Sequence, residues 1–172
     1  MRVLLLVAVF ALSGCTGIPE GIDPVDDFEL VPYLGTWYEI ARLDHRFERG
    51  LSNVTADYSM REDGGVRVLN RGYRTDTGEW DEAEGKAYFI GDSSVGRLKV
   101  SFFGPFYGAY NIFELGENYE YSMVAGPDRS YLWILAREPE LPRALLDELV
   151  SKAEAAGYDT SELIFVEHDM AP

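Results

Sequence analysis

The chain has 172 residues and a formal net charge of −15 at neutral pH, because 30 acidic residues outnumber 15 basic ones. So acidic a chain is excluded from ordinary nucleic-acid binding, which needs a basic face, and its net charge cannot hold it at an anionic membrane. A hydrophobic fraction of 47% and an aromatic fraction of 13% are ample for the core of one domain.

The amino terminus has the features of an export signal. Arg2 precedes an apolar run over residues 3–12, which is too short to span a bilayer as a helix, since about 20 residues are needed. The small residues Ser13 and Gly14 then lead to Cys15, the only cysteine of the chain. This spacing is similar to that of a bacterial lipoprotein signal, in which the cysteine carries the acyl chains. The alternative is an ordinary secretory signal with a chance cysteine.

The resemblance to a lipoprotein signal divides the chain into three parts. They are a signal peptide over residues 1–14, a lipidated N-terminus and tether over residues 15–27, and a domain over residues 28–172. Two or more acyl chains on Cys15 would anchor the mature protein stably. In such lipoproteins an Asp after the cysteine usually marks the inner membrane. Thr16 stands there instead, which implies the outer membrane, with the domain facing the periplasm.

The body of the chain predicts short β-strands. Residues 54–60 and 66–71, for example, alternate apolar and polar side chains with a period of two, which is typical of half-buried strands. Hairpin-like linkers separate the runs and suggest an antiparallel meander. Eight such strands close readily into an up-and-down barrel wide enough for one small ligand. The predicted strands are residues 36–42, 54–60, 66–71, 82–89, 97–102, 110–115, 119–124 and 131–136.

The period changes to a helical one over residues 139–156. Leucines recur there at helical spacing, with Pro142 near the start and Gly157 just past the end. One helix is therefore expected on the outside of the barrel, followed by a short last strand over residues 163–166. The predicted fold class is all-β, an eight-stranded antiparallel up-and-down barrel with one C-terminal α-helix.

Two motifs carry a family resemblance. Residues 35–38 match the Gly-x-Trp motif that opens the first strand of lipocalins, with Trp37 as its tryptophan, and Arg137 stands where lipocalins have the arginine that packs over it. Further similarity lies in residues 85–89, 100–108 and 126–137. The chain thus resembles the bacterial lipocalins, the outer-membrane lipoprotein branch of the family, and apolipoprotein D.

The resemblance implies a function and a structural role for these two motifs. Trp37 and Arg137 are expected to seal the closed end of the barrel, where their cation–π contact would contribute about 1–2 kcal/mol. The barrel is expected to bind, store or transport a hydrophobic lipid, either a fatty acid or a lysophospholipid, in the cell envelope. The alternative is a carrier of another small hydrophobic ligand, such as a tetrapyrrole or pigment.

With Trp37 at the closed end, alternation along each strand assigns the side chains that face inward. Most of them are apolar or aromatic, none carries a charge, and the small Ala56 and Ala83 leave room for an elongated ligand. The predicted ligand-binding residues are Val54, Ala56, Tyr58, Val68, Asn70, Ala83, Leu98, Val100, Phe102, Asn111, Phe113, Tyr131 and Trp133. Val66, Tyr119, Tyr121, Met123 and Leu135 are also expected to face inward.

The loops at residues 44–53, 74–79, 103–109 and 126–130 are expected to surround the open end. Their apolar residues, such as Phe47, Phe103 and Phe106, indicate a surface that meets the ligand, a membrane or a second copy of the protein. Their arginines suit a carboxylate or phosphate head group, although scattered surface arginines are common. These arginines are Arg46, Arg49, Arg74 and Arg129.

No catalytic site, metal site or cofactor is predicted. His45 and His168 are the only histidines, lie far apart in the sequence and have no nucleophile motif nearby. No pair of His or Cys residues has a spacing typical of a metal site. The expected partners are therefore the lipid ligand, the outer membrane through the anchor, and a second copy of the chain if the open-end loops form a homodimer.

Overall fold

Eight antiparallel strands of the computed structural model, which describes residues 16–170, hydrogen-bond in chain order, and the first strand pairs with both the second and the eighth. The sheet therefore closes into a barrel, and the predicted fold class is confirmed. The elements are α1 (Leu30–Tyr33), β1 (Gly35–Leu43), β2 (Leu51–Met60), β3 (Val66–Arg74), β4 (Glu79–Phe89), β5 (Arg97–Phe103), β6 (Phe106–Leu115), β7 (Tyr121–Ala125), β8 (Leu132–Ala136), α2 (Arg143–Ala155), a 3-10 helix (Thr160–Glu162) and β9 (Leu163–Phe165).

The chain direction fixes the two ends of the barrel. Trp37 lies near the start of β1 at the end that α1 and the preceding residues cover, so this end is closed. Every odd-numbered strand from β1 to β7 then runs towards the opposite end. The β1–β2, β3–β4, β5–β6 and β7–β8 connections therefore surround the open end, as predicted. Among residues 16–170, no helix is long and apolar enough to cross a membrane.

Two hydrophobic clusters stabilise this architecture. One fills the closed half of the barrel around Trp37 and Ile112, both fully buried. The other lies between the outside of the barrel and α2, where Leu149 and Ala153 of the helix are fully buried against the sheet. Complete burial of one leucine contributes about 1.5–3 kcal/mol. The helix begins directly after Pro142, which cannot donate a backbone hydrogen bond.

Strand β6 presents the opposite face from the predicted one. Tyr110 and Ile112 face the barrel axis, because the register pairs them with the inward-facing Leu98 of β5 and Val124 of β7. The inward placement of Asn111 and Phe113 is therefore wrong. Asn111 lies on the outer face, where its Nδ2 donates to the carbonyl oxygens of Gly17 at 3.1 Å and Gly126 at 3.3 Å. Phe113 packs against the outer cluster and stacks on Tyr158.

Strand β7 differs from its prediction in the same way. Ser122 and Val124 face inward, whereas Tyr121 and Met123 lie outside in the cluster beneath α2. Tyr119 precedes the strand and packs at the closed end. The reason is common to both strands: α2 and the N-terminal segment cover their outer faces, so both faces are apolar and alternation does not identify the inner one.

The described part of the expected tether, residues 16–27, packs against the barrel. Ile22 is buried in the outer cluster, and the backbone of Val25 pairs with Ile112 and Gly96. The carbonyl oxygen of Gly17 is held by Asn111. Residues 15–27 were expected to form a tether between anchor and domain, and the described part of that segment packs on the barrel instead of extending away from it. The predicted signal peptide and Cys15 lie outside the described residues.

Candidate functional site

The closed end of the barrel is sealed by a tryptophan beneath an arginine. The guanidinium carbon of Arg137 lies 3.9 Å from the ring centroid of Trp37, and the indole Nε1 donates to the carbonyl oxygen of Tyr33 at 2.8 Å. Arg137 also donates to the carbonyl oxygens of Thr36 at 2.9 Å, Pro32 at 2.6 Å and, more weakly, Tyr119 at 3.3 Å. These contacts tie α1, β1 and the β6–β7 turn together, which is a structural role.

A layer of tyrosines lies above Trp37 and forms the floor of the barrel interior. The hydroxyl of Tyr110 is 2.8 Å from those of both Tyr33 and Tyr58, and the Tyr33 hydroxyl is 3.1 Å from Oγ of Ser122. Burial raises the pKa of Tyr33 to about 12 and raises the pKa of Tyr58 and Tyr110 well above the usual value. The layer is therefore uncharged near neutral pH, and its hydroxyls satisfy one another.

Above this floor the inner wall is accessible. In β3 and β4, Asn70 pairs with Ala83 and Val68 with Gly85, so small residues line this side of the barrel. Ala83 is exposed although it lies on the inward phase, and Asn70 is half-buried. Ala56, Val100, Phe102 and Trp133 are likewise half-buried members of the inner cluster, whereas Val54, Tyr58, Val68 and Leu98 are buried in the wall.

The opposite wall contains charged residues that are not among the predicted inward-facing side chains. Glu39 and Arg42 of β1 stand opposite the inward-facing Leu135 and Trp133 of β8. Their side chains are almost completely buried, and Nη1 of Arg42 donates to Oε1 of Glu39 at 2.6 Å. The register shifts between Glu39 and Ala41, and this irregularity brings Arg42 inward. The expectation of an interior without charge is therefore wrong.

The β1–β2 loop, residues 44–50, joins this charged cluster across the open end. Arg42 donates through Nη2 to the carbonyl oxygens of Glu48 at 2.8 Å and Leu51 at 3.1 Å. Oε2 of Glu48 accepts a hydrogen bond from Nε1 of Trp133 at 3.1 Å and lies 2.8 Å from Nε2 of His45. The contact with His45 is an ion-pair distance without hydrogen-bond alignment.

The two buried carboxyl groups titrate in opposite directions. Burial, reinforced by the negative charge of Glu48, raises the pKa of Glu39 well above its ordinary value in spite of Arg42. Burial also raises the pKa of Glu48, but His45, Trp133 and Arg42 together outweigh that effect and lower it. Glu48 thus carries the negative charge of the cluster more readily than Glu39 does.

Residues at the open rim differ in their exposure and in their contacts. Phe47, Phe103 and Phe106 are exposed, at 57%, 69% and 78%. Arg49 pairs with Asp44, Arg74 pairs with Asp81, and the guanidinium of Arg46 lies 4.9 Å from the ring centroid of Phe47. Arg129 binds the carbonyl oxygens of Glu20 and Ala156 and so holds the N-terminal segment and the end of α2. Tyr131 stacks on Trp133 at the mouth.

The model of the Lipocalin-like domain family matches residues 28–168. The chain is a lipocalin. It is 57% identical to the outer membrane lipoprotein Blc of Vibrio cholerae, across 96% of this chain and 97% of that protein. It is 50% identical to the outer membrane lipoprotein Blc of Escherichia coli K12, across 97% and 98%. These relatives confirm the prediction of a bacterial lipocalin of the outer-membrane lipoprotein branch.

The structure of insecticyanin from the tobacco hornworm Manduca sexta aligns with this lipocalin at a TM-score of 0.70 over 88% of the chain and 86% of that protein. At 20% identity this similarity concerns the fold alone. Within residues 16–170 of the lipocalin, no group of three or more His, Cys, Asp or Glu side chains is arranged to hold a metal ion.

This arrangement gives the lipocalin an interior with two unlike walls. Val100 and Phe102 of β5 are four strands away from the charged residues of β1 in the closed order of eight. An apolar chain can lie along the apolar wall at β5, while polar groups can contact the charged wall at β1. Alternation along β1 does indicate that Glu39 faces inward, since it lies two residues after Trp37. It does not indicate the inward position of Arg42, because the register shifts between the two residues.

Proposed function

We propose that this lipocalin is a carrier that holds a single-chain lipid in its barrel, with the acyl chain directed towards the tyrosine floor. The ligand is a fatty acid or a lysophospholipid. Cys15 anchors the protein to the outer membrane, and the domain faces the periplasm, where it stores the lipid or carries it between membranes.

The observation that carries this proposal is the accessible inner wall above the tyrosine layer. Ala56, Asn70, Val100 and Phe102 face the barrel axis yet keep part of their surface exposed. A side chain packed against its neighbours in a filled barrel would be buried instead. The small Ala83 and Gly85 of β4, which stand opposite Asn70 and Val68 of β3, leave width for a chain of methylene groups.

The energy of such an association favours a lipid. Burial of about 14 methylene groups at ~0.8 kcal/mol each contributes roughly 11 kcal/mol. Association costs of about 4–15 kcal/mol reduce this gain, so an affinity on the order of micromolar is expected. That strength suits a carrier, because the ligand must also leave.

Polar groups near the mouth suit the head of the lipid. Oδ1 of Asn70 is buried without a hydrogen-bond partner among the described residues and can accept a hydrogen bond from a hydroxyl group. Trp133, Tyr131 and the Arg74–Asp81 pair lie higher, towards the open end. A carboxylate or phosphate would find the arginine there, since Arg is suited to both.

The test is to identify what the protein contains. The full-length protein is purified from its own membranes, and the extracted lipids are identified by mass spectrometry. The expected result is one molar equivalent or less of fatty acid or lysophospholipid, with none from a Val100→Trp variant whose barrel is filled. A visible absorption band in the purified wild type that is absent from Val100→Trp would show that the ligand is a pigment and not a lipid.

A further inference from the structure

The outer face of strands β5 and β6 differs in charge from the rest of this acidic protein. Residues 93–113, which include β5, the connection and β6 as far as Phe113, contain no Asp or Glu, although the chain has 30 acidic residues. Arg97 and Lys99 of β5 lie on the outer face, because the inward phase belongs to Leu98 and Val100. Lys86 of β4 pairs with Ser101 of β5 on the same face.

Tyrosines accompany these basic residues. Tyr88 pairs with Lys99 across β4 and β5, and Nζ of Lys99 lies 4.8 Å from the ring centroid of Tyr107. The rings of Tyr88 and Tyr107 are 6.4 Å apart. Tyrosine and lysine together are typical of the boundary between lipid and water, where each keeps its polar end in water and its apolar part against lipid.

The tip of the same hairpin is strongly apolar. Phe103 and Phe106, which pair with each other at the β5–β6 connection, are 69% and 78% exposed. Neither ring belongs to the inner or the outer hydrophobic cluster. Exposed apolar side chains that cluster on one hairpin mark a surface that meets a partner or a membrane.

The N-terminal segment leads to this face. The carbonyl oxygen of Thr16 accepts from Nη2 of Arg97 on β5 at 3.4 Å, and that of Gly17 accepts from Nδ2 of Asn111 on β6 at 3.1 Å. Cys15 is one peptide bond, about 3.8 Å between Cα atoms, before Thr16. Acyl chains on Cys15 would therefore begin beside the β5–β6 hairpin, with no free tether between them and the barrel.

From these observations we infer that the β5–β6 hairpin is a membrane-docking element. Phe103 and Phe106 enter the leaflet that holds the acyl chains of Cys15, and Lys86 and Lys99 face its phosphate groups. The hairpin tip is about 17 Å from Asn111 along β6, at ~3.4 Å per residue. Docking therefore lays the barrel on its β5–β6 side and brings the open mouth close to the membrane surface. The inference rests on the proposed anchoring at Cys15.

The experiment places a tryptophan at the hairpin tip. Phe106→Trp is introduced into the full-length lipidated protein, and the matched control is Val31→Trp, because Val31 is equally exposed at 78% but lies in α1 at the closed end. Both proteins are reconstituted in vesicles of phosphatidylethanolamine and phosphatidylglycerol, with or without brominated acyl chains. Bromine should remove most of the emission that Phe106→Trp adds and leave that of Val31→Trp unchanged.

A second pair of variants tests the charges. In the Phe106→Trp background, Lys86→Glu with Lys99→Glu should reduce the quenching. Lys152→Glu, which changes the remaining lysine of the chain on α2, should not. Equal quenching at positions 31 and 106, or quenching at 31 alone, would overturn the docking orientation.

Two further outcomes separate the docking inference from other possibilities. Wild-type protein that fails to float with vesicles would overturn both the anchor and the docking. Efficient flotation without quenching at position 106 would overturn the docking and leave the anchor intact. If Phe106→Trp is unquenched while Phe103→Ser with Phe106→Ser abolishes a dimer in sedimentation, the hairpin meets a second copy of the chain instead of lipid.

Discussion

The indole Nε1 of Trp133, on the inner wall of the barrel, donates a 3.1 Å hydrogen bond to Oε2 of Glu48 in the β1–β2 loop. Arg42 strengthens the same connection from below, because it donates to the backbone oxygen of Glu48 while its Nη1 binds Glu39. The loop is therefore attached to the interior by groups on both β1 and β8. A lipid that passes the mouth on this side must displace Glu48 or move beside it.

The first prediction concerns Glu48→Gln. The pKa of Glu48 is lowered on folding, so its charge stabilises the folded state above the ordinary value of 4.5, and this contribution is lost as the pH falls through the folded-state pKa. Glu48→Gln should therefore be less stable than the wild type at pH 7, and the difference should shrink as the pH falls below 4.5. Urea denaturation at a series of pH values measures the difference. A constant difference at every pH would contradict the assignment.

The second prediction uses Glu39→Gln, whose effect should have the opposite sign. The pKa of Glu39 is raised on folding, so the stability that its proton provides is complete below pH 4.5 and is lost as the pH rises through the folded-state pKa. The variant should gain stability relative to the wild type as the pH rises above 4.5. The same urea series applies, and an equal decline of both proteins with pH would refute the raised pKa.

These carboxyl groups also show how far the sequence could predict the site. The barrel, its closed end and most of the inner wall follow from local features, namely the Gly-x-Trp motif and strands with one apolar face. Val68 and Val100, for instance, lie where alternation places them. Arg42 could not be placed, because the register shift after Glu39 reverses the phase within β1.

The predicted inner faces of β6 and β7 are wrong for a different reason. On β6, Phe113 of the outer face is as hydrophobic as Ile112 of the inner face. On β7 the same holds for Met123 outside and Val124 inside, so both faces of each strand are apolar. The decision between them depends on α2, whose Leu149 packs on the outer face from far along the chain. Only the tertiary structure contains that information, so period-two alternation alone has no means of choosing.

The third prediction separates a structural arginine from a surface one. Arg137→Ala removes the contact with Trp37 and three donated hydrogen bonds, so the free energy of unfolding should fall by roughly 2–4 kcal/mol. Arg143→Ala is the control, because its i,i+4 pair with Asp147 on α2 is exposed and contributes about 0.3–0.5 kcal/mol. Thermal and urea melts give both values; similar losses in the two variants would exclude a special role for Arg137.

The fourth prediction concerns the anchor. Cys15→Ser removes the sulfur that would carry the acyl chains, so the protein should disappear from the outer-membrane fraction and from the detergent phase after phase partition. Thr16→Ser, which changes the next residue conservatively, should leave both fractions as they are. Full recovery of Cys15→Ser in the outer membrane would show that the chain is held there by something other than acylation.

The last prediction tests the lipid site against the outside of the barrel. Val100→Trp fills the accessible interior from the middle of β5, whereas Glu82→Trp places the same side chain on the outer face of β4, next to the inward-facing Ala83. Overpacking at position 100 should cost about 1–3 kcal/mol of stability. Displacement of a fluorescent fatty acid by lysophospholipid measures binding in both variants.

The expected result of that comparison is a loss of binding for Val100→Trp and unchanged binding for Glu82→Trp. In the wild type and in Glu82→Trp, the emission of Trp133 should also respond to the lipid, because this indole faces the interior and donates its hydrogen bond to Glu48 at the mouth. Normal binding by Val100→Trp would mean that the lipid does not occupy the barrel. A loss of binding in Glu82→Trp alone would show that the lipid binds on the outer surface, where Trp80 and Arg71 form their cation–π pair.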